Sequence, residues 1–210
     1  MNGQKMVRRG FVVFEGIDGS GTTTQSRLLH ERLLAAGRSA WLTSEPTTRP
    51  LGLVARDVLA GRLEVSAETV AHIFAADRSD HLSSPEGIVE RLERGELVVC
   101  DRYAYSSLAY QTIDADPELV AELNARFDDP EIVFFLDLPP EAMESRLAGR
   151  PTRDIYEKLE FQELVRTRYL RVLEAIEPPV RVQIIDASLP QTEIAEKIWE
   201  SLAKTSILGV

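Results

Sequence analysis

Residues 11–25 read FVVFEGIDGSGTTTQ and constrain the fold more than any other stretch. An apolar run with β-branched character leads into glycines at Gly16, Gly19 and Gly21, and a helical pattern follows. This is the layout of a phosphate-binding loop between a buried strand and a helix N-terminus. Glycines let backbone N–H groups converge on phosphate oxygens, and the helix end adds partial positive charge. The usual pattern is G-x-x-x-x-G-K-[ST]. Gly16 and Gly21 have its spacing, and Thr23 supplies the hydroxyl expected on a magnesium ion. Thr22 stands where the lysine is expected.

Strands alternate with helices along the rest of the chain. Strands are predicted at 11–14, 40–43, 97–100, 132–136 and 182–185. Helices are predicted over 22–36, 51–59, 66–81, 117–127, 140–147, 158–176 and 190–202, with another beginning near Tyr105. Ser84-Pro85-Glu86 reads as one more helix start, with a cap, a proline at the first position and an acid in the first turn. The pattern implies one α/β domain over residues 1–210, with a five-stranded parallel sheet covered on both faces. Ligands of such sheets lie at the carboxyl ends of the strands. The loop, Glu45, Asp101, Asp137 and Asp186 fall there. Residues 148–157 are polar and basic, and read as a small lid segment.

Composition narrows the function. A net charge of −10 argues against nonspecific binding to nucleic acid or anionic membrane. The single cysteine, Cys100, excludes an intrachain disulfide and a cysteine zinc cluster, and fits a reducing cytoplasm. The first ten residues lack the apolar core of a secretory signal, and no apolar run approaches bilayer-spanning length. Lysine occurs only at 5, 158, 197 and 204, so cations for a phosphate site should be arginines or a metal.

Several residues carry candidate chemistry. Asp101 ends the apolar run LVVC beside the loop, where an acid holds magnesium or its water, or else caps the next helix. Arg102 can direct two N–H bonds at a phosphate. Phe74 and Arg78 share a helix face, so a planar ring could stack on one while the other bonds its edge. Arg146, Arg150 and Arg153 form a basic cluster, either solvated or a lid over transferring phosphates. His30, His72 and His81 read as structural, and Trp41 and Trp199 as packing residues.

These motifs resemble the thymidylate kinase family of P-loop nucleoside monophosphate kinases over residues 9–202. FEGIDGSGTTTQ is similar to that family's FEGIDGxGKTTQ, and TSEPTTRPLG to its TREPGGTPLG. FAADRSDHL, LVVCDRYAYSSLAYQ, FFLDLPPEAMESRL and VQIIDAS follow in family order. The resemblance implies a P-loop NTPase fold, ATP–Mg²⁺ as donor, dTMP as acceptor, and a homodimer. It implies that Gly16, Ile17, Asp18, Gly19, Ser20, Gly21, Thr22, Thr23 and Thr24 wrap the ATP phosphates, with Asp186 to Ser188 near the adenine. Thr23 and Asp101 would hold the metal. Glu45, Phe74, Arg78, Arg102, Ser106, Ser107 and Tyr110 would form the dTMP site, and Asp18 would approach the sugar. Gly19 and Ser20 leave no arginine in the loop, so Arg150 or Arg153 would be the catalytic lid arginine beside Asp18 and Arg102.

Three departures bear on this expectation. Thr22 replaces the loop lysine, Ser44 replaces the arginine of TREP, and Thr47-Thr48-Arg49 replaces GGT. Arg49 is therefore expected to take over an acceptor-phosphate contact, and a lid arginine or the Thr22 and Thr23 hydroxyls to compensate for the lysine. The alternatives are a kinase for another acceptor, such as dUMP or a deoxynucleoside, and a nucleotide-binding regulatory protein that lost turnover with the lysine.

Overall fold

A computed structural model describes residues 5–147 and 159–208. Its strands are β1 (Val7–Gly16), β2 (Ala40–Ser44), β3 (Leu97–Asp101), β4 (Asp129–Asp137) and β5 (Arg181–Asp186). All pair in parallel within one sheet, in the order β2-β3-β1-β4-β5. Around it lie α1 (Thr22–Ala35), α2 (Pro50–Leu59), α3 (Ala67–Ser83), α4 (Ile88–Glu93) and α5 (Ala104–Tyr110). They are followed by α6 (Pro117–Asn124), α7 (Pro140–Leu147), α8 (Leu159–Glu174) and α9 (Gln191–Ala203).

The central strands carry the core. Phe11 to Phe14 on β1, Val98 to Cys100 on β3 and Val133 to Leu136 on β4 are wholly buried. Burial from both faces is why they read as unbroken apolar runs rather than alternating ones. β1 starts before the predicted position 11, because its first residues also pair with β4 across a register shift between Arg8 and Val12. Ile207 is buried, and its carbonyl accepts from Arg38 Nη2 at 2.8 Å.

Two helix starts follow the expected chemistry. Ser66 accepts from Thr69 N at 3.2 Å, and Asp116 accepts from Glu118 N at 2.9 Å with Pro117 in the first turn. The predicted start at Ser84 is wrong. Ser84 closes α3, its N–H and its hydroxyl both donating to Asp80 O. Glu86 then takes a φ of 60°, and α4 begins only after Gly87. A Cβ on Gly87 would stand 2.7 Å from His81 O and from Ser84 O, so that turn requires glycine.

The strand order places the site. From β1 the chain crosses to β2 and returns to β3, then passes to the other side of β1 at β4. The carboxyl ends of β1 and β3 therefore face an opening between diverging connections. The phosphate loop leaves β1 there, and Asp101 and Arg102 leave β3 beside it.

Candidate active site

A cavity of about 1020 Å³ runs from the loop after β1 to α3. One end is the loop itself. A Cβ on Gly16 would meet Ser20 Oγ at 2.4 Å and Leu136 O at 2.8 Å, and Gly21 has a φ of 96°. Both positions therefore need glycine. Thr23 Oγ1 donates to Asp101 Oδ2 at 2.5 Å, while Asp101 Oδ1 is buried with no hydrogen-bond partner among the described residues. A buried carboxylate oxygen left over beside a hydroxyl, at the edge of a phosphate cradle, fits magnesium. That ion is usually held by one or two carboxylates with substrate phosphates and water. No cluster of three His, Cys, Asp or Glu side chains occurs among the described residues, so the other ligands would come from that substrate and water.

Thr22 stands in the lysine's place. Thr22 is buried. Arg146 on α7 reaches the loop, with Nη1 3.5 Å from Gly19 O and Nη2 2.6 Å from Ala187 O. Arg150 and Arg153 lie outside the described residues.

Arg102 sits between the two ends of the cavity. Its Nη2 donates to Asp18 Oδ1 at 2.6 Å, and its Nη1 to Gly16 O at 2.9 Å. Nη1 also lies 3.3 Å from Tyr169 Oη and 3.4 Å from Tyr110 Oη. The backbone of Arg102 has a φ of 69°, which costs a non-glycine residue roughly 1–3 kcal/mol. Its N–H bonds Phe14 O at 2.8 Å and holds that conformation.

The other end is built on a buried ion pair. Arg78 is 1% exposed, and its Nε donates to Glu45 Oε2 at 2.8 Å. Its Nη2 donates to Ser107 Oγ and Tyr103 O, both at 3.1 Å, and its Nη1 donates to Asn124 Oδ1. His81 links Glu45 Oε1 at 3.0 Å to Thr43 Oγ1 at 2.7 Å. It is structural as expected, and it buttresses the carboxylate of the site. Phe74, Ser106 and Tyr110 line the same cavity. The Ser106 hydroxyl donates to Glu15 Oε2 at 2.6 Å.

Arg49 does not take the role expected of it. It pairs with Asp80 at 2.7 Å and is not a wall of the cavity. Arg56 on α2 is a wall, held by Thr47 O at 3.1 Å and by Pro46 O. Trp41 and Trp199 pack as expected, each under an arginine, Arg91 at 4.3 Å and Arg32 at 4.4 Å.

Three further residues join the site. Gln162 on α8 accepts from Asp18 N at 3.2 Å and donates to Asp18 Oδ2 at 2.8 Å. Tyr169 on the same helix donates to Glu15 Oε2 at 2.9 Å. Glu15 is wholly buried, and burial raises its carboxyl to about 7 against donors and the Arg102 charge that pull it down. A carboxylate at the end of an apolar strand is the signal that marked Asp101, and it marks Glu15 equally. Nothing local in the sequence marks Gln162 or Tyr169.

The family model for thymidylate kinase matches residues 14–198. The chain belongs to the thymidylate kinase family. A probable thymidylate kinase of Pyrococcus abyssi is 37% identical over 211 residues, covering 97% of this chain and all of that one. One from Methanocaldococcus jannaschii is 41% identical over 170 residues, 80% of this chain and 84% of its own. A third, from Thermococcus kodakarensis, is 42% identical over 174 residues, 78% and 84% of the two chains. As a thymidylate kinase family member, the chain has an α/β parallel sheet of the P-loop kind. No helix among the described residues is long and apolar enough to cross a membrane.

Proposed function

We propose that this chain transfers the γ-phosphoryl group of ATP to dTMP, giving ADP and dTDP. The observation that carries this reading is the placement of Arg102. Its guanidinium bonds the phosphate loop at Gly16 O and Asp18, and the same cavity continues to the Arg78 wall. A cation at that junction can take the acceptor phosphate while the loop N–H groups take the donor.

Catalysis here is positioning and charge neutralisation rather than covalent chemistry. Residues 16 to 24 cradle the donor phosphates. Thr23 and Asp101 would hold magnesium, which would supply positive charge to neutralise the donor phosphates. Phe74 offers a ring face to the acceptor base. Arg78 is fixed by Glu45, Ser107 and Asn124, so little side-chain entropy is lost when a base meets it. Asp18 and Tyr110 stand at the sugar. Arg146, spanning Gly19 and Ala187, walls the donor-base end next to residues 186–188. As in the resemblance, Arg150 or Arg153, which lie outside the described residues, would supply charge to the transferring group. The whole chain acts as one kinase domain. As in the resemblance, it pairs into a homodimer, and exposed Leu51, Leu53 and Val54 on α2 offer an apolar face for that pairing.

An ADP-release assay across acceptors tests the reading. dTMP should be the best acceptor, ahead of dUMP and dCMP, and thymidine should be inactive because Arg102 then has no phosphate to hold. Equal rates with dTMP and thymidine would contradict the role of Arg102. Thr22→Lys should change kcat by less than about tenfold, or ~1.4 kcal/mol, because other groups already offset the donor charge. A gain of several hundredfold would mean that nothing here replaces the lysine.

A further inference from the structure

Glu15 is a buried titratable group for which the reaction above has no direct use. Its Oε1 accepts from Tyr103 N at 2.9 Å and Ser106 N at 3.3 Å. Its Oε2 forms a triangle with two hydroxyls. Ser106 Oγ is 2.6 Å away, Tyr169 Oη is 2.9 Å away, and the two hydroxyls are 2.8 Å from each other. Three hydrogen-bonded edges need three protons. The hydroxyls bring one each, and an ionised carboxylate brings none. A protonated carboxyl supplies the third.

The groups facing Glu15 leave it as the one that titrates near neutrality. They are Cys100 on β3, Arg102 after it, Tyr105 and Ser106 on α5, and Tyr169 on α8. Its register partner on β4, Phe135, is apolar. Burial pushes the Cys100 thiol and the Tyr105 and Tyr169 hydroxyls upward, and the nearby acids add to it, so all three stay neutral. Arg102 stays charged.

We propose that Glu15 is a positioning residue that acts on acceptor binding through Arg102. Neutral, it closes the triangle, and Tyr169 Oη keeps Arg102 Nη1 oriented while the full charge of Arg102 is left to the acceptor phosphate. Ionised, it opens one edge of the triangle and sets a second carboxylate, besides Asp18, against that guanidinium. Binding of the acceptor dianion then draws a proton onto Glu15. The inference rests on dTMP being the acceptor.

The test pairs kinetics with calorimetry on the full chain. Between pH 6.8 and 8.5 dTMP is already largely a dianion, since its second phosphate ionisation lies near 6. KM for dTMP should rise about five- to tenfold across that window, with kcat at saturation steady. Glu15→Gln carries an amide that donates to both hydroxyls and accepts from both N–H groups. Its KM should stay flat with pH, near the wild-type value at pH 6.8. Titration of dTMP into wild type at pH 7.5, in two buffers of different ionisation enthalpy, should show proton uptake that Glu15→Gln lacks. A flat wild-type KM, an equal rise in the variant, or binding without proton uptake would overturn the proposal. If the variant fails to fold, the wild-type calorimetry alone decides. Proton uptake on dTMP binding with no turnover at any pH would keep the role of Glu15 and reject the kinase reading.

Discussion

Arg102→Ala should lower kcat/KM for dTMP by about 10³, the scale on which a cation at transferring phosphates acts. The side chain spans the donor loop and the acceptor cavity, with bonds to Gly16 O and Asp18. Removing it therefore costs both acceptor binding and alignment. Arg102→Lys should recover little. An ammonium cannot reach Gly16 O, Asp18 and a phosphate with the geometry of a planar fork. The backbone supplies a control. At a φ of 69°, glycine is unstrained and alanine is not. Arg102→Gly should therefore be as inactive as Arg102→Ala yet more stable, by roughly 1 kcal/mol in urea unfolding. An alanine variant at least as stable as the glycine variant would mean that the left-handed backbone carries no strain.

The second large effect is on stability. Glu45→Ala leaves Arg78 buried without its counterion and His81 without its Nδ1 partner. Breaking one side of such a pair costs about 3–5 kcal/mol. That is a large part of the 5–15 kcal/mol a domain typically has, so the melting temperature should fall steeply. The double variant Glu45→Leu with Arg78→Leu should regain much of that stability, because no charge is left buried alone. It should not regain dTMP affinity, because the wall that meets the base is gone. If the double variant bound dTMP as the wild type does, Arg78 would be only a structural residue.

What was legible in the sequence follows from distance along the chain. The phosphate loop, the buried strands and most helix starts are local features, and residues 11–14 and Ser66 announce them. The pairing of Thr23 with Asp101 was also readable, since both end motifs with known phosphate chemistry. The start assigned to Ser84 failed because its hydroxyl turns back to Asp80 O rather than forward to the next helix. Arg49 failed because Asp80 on α3 captures it. Gln162 and Tyr169 were beyond reach. They meet Asp18 and Glu15 across more than 140 residues of chain, and a helix pattern does not say which neighbour it will meet.

Glu15 also shapes stability with pH. Its folded pKa of about 7 lies above the ordinary 4.5, so its contribution is fullest at low pH, and it falls as pH rises from the lower value through the higher. This runs opposite to the usual paired carboxylate. The difference reflects burial outweighing three hydrogen bonds and the Arg102 charge.

The central claim is that one cavity aligns an ATP γ-phosphoryl group with a dTMP phosphate although Thr22 replaces the loop lysine. Formation of dTDP and ADP from dTMP and ATP–Mg²⁺, followed at steady state with the purified chain, tests it most directly. Equimolar dTDP and ADP, saturation in both nucleotides, and loss of turnover when magnesium is chelated are expected. Nucleotide binding with no ADP or dTDP formed would contradict it.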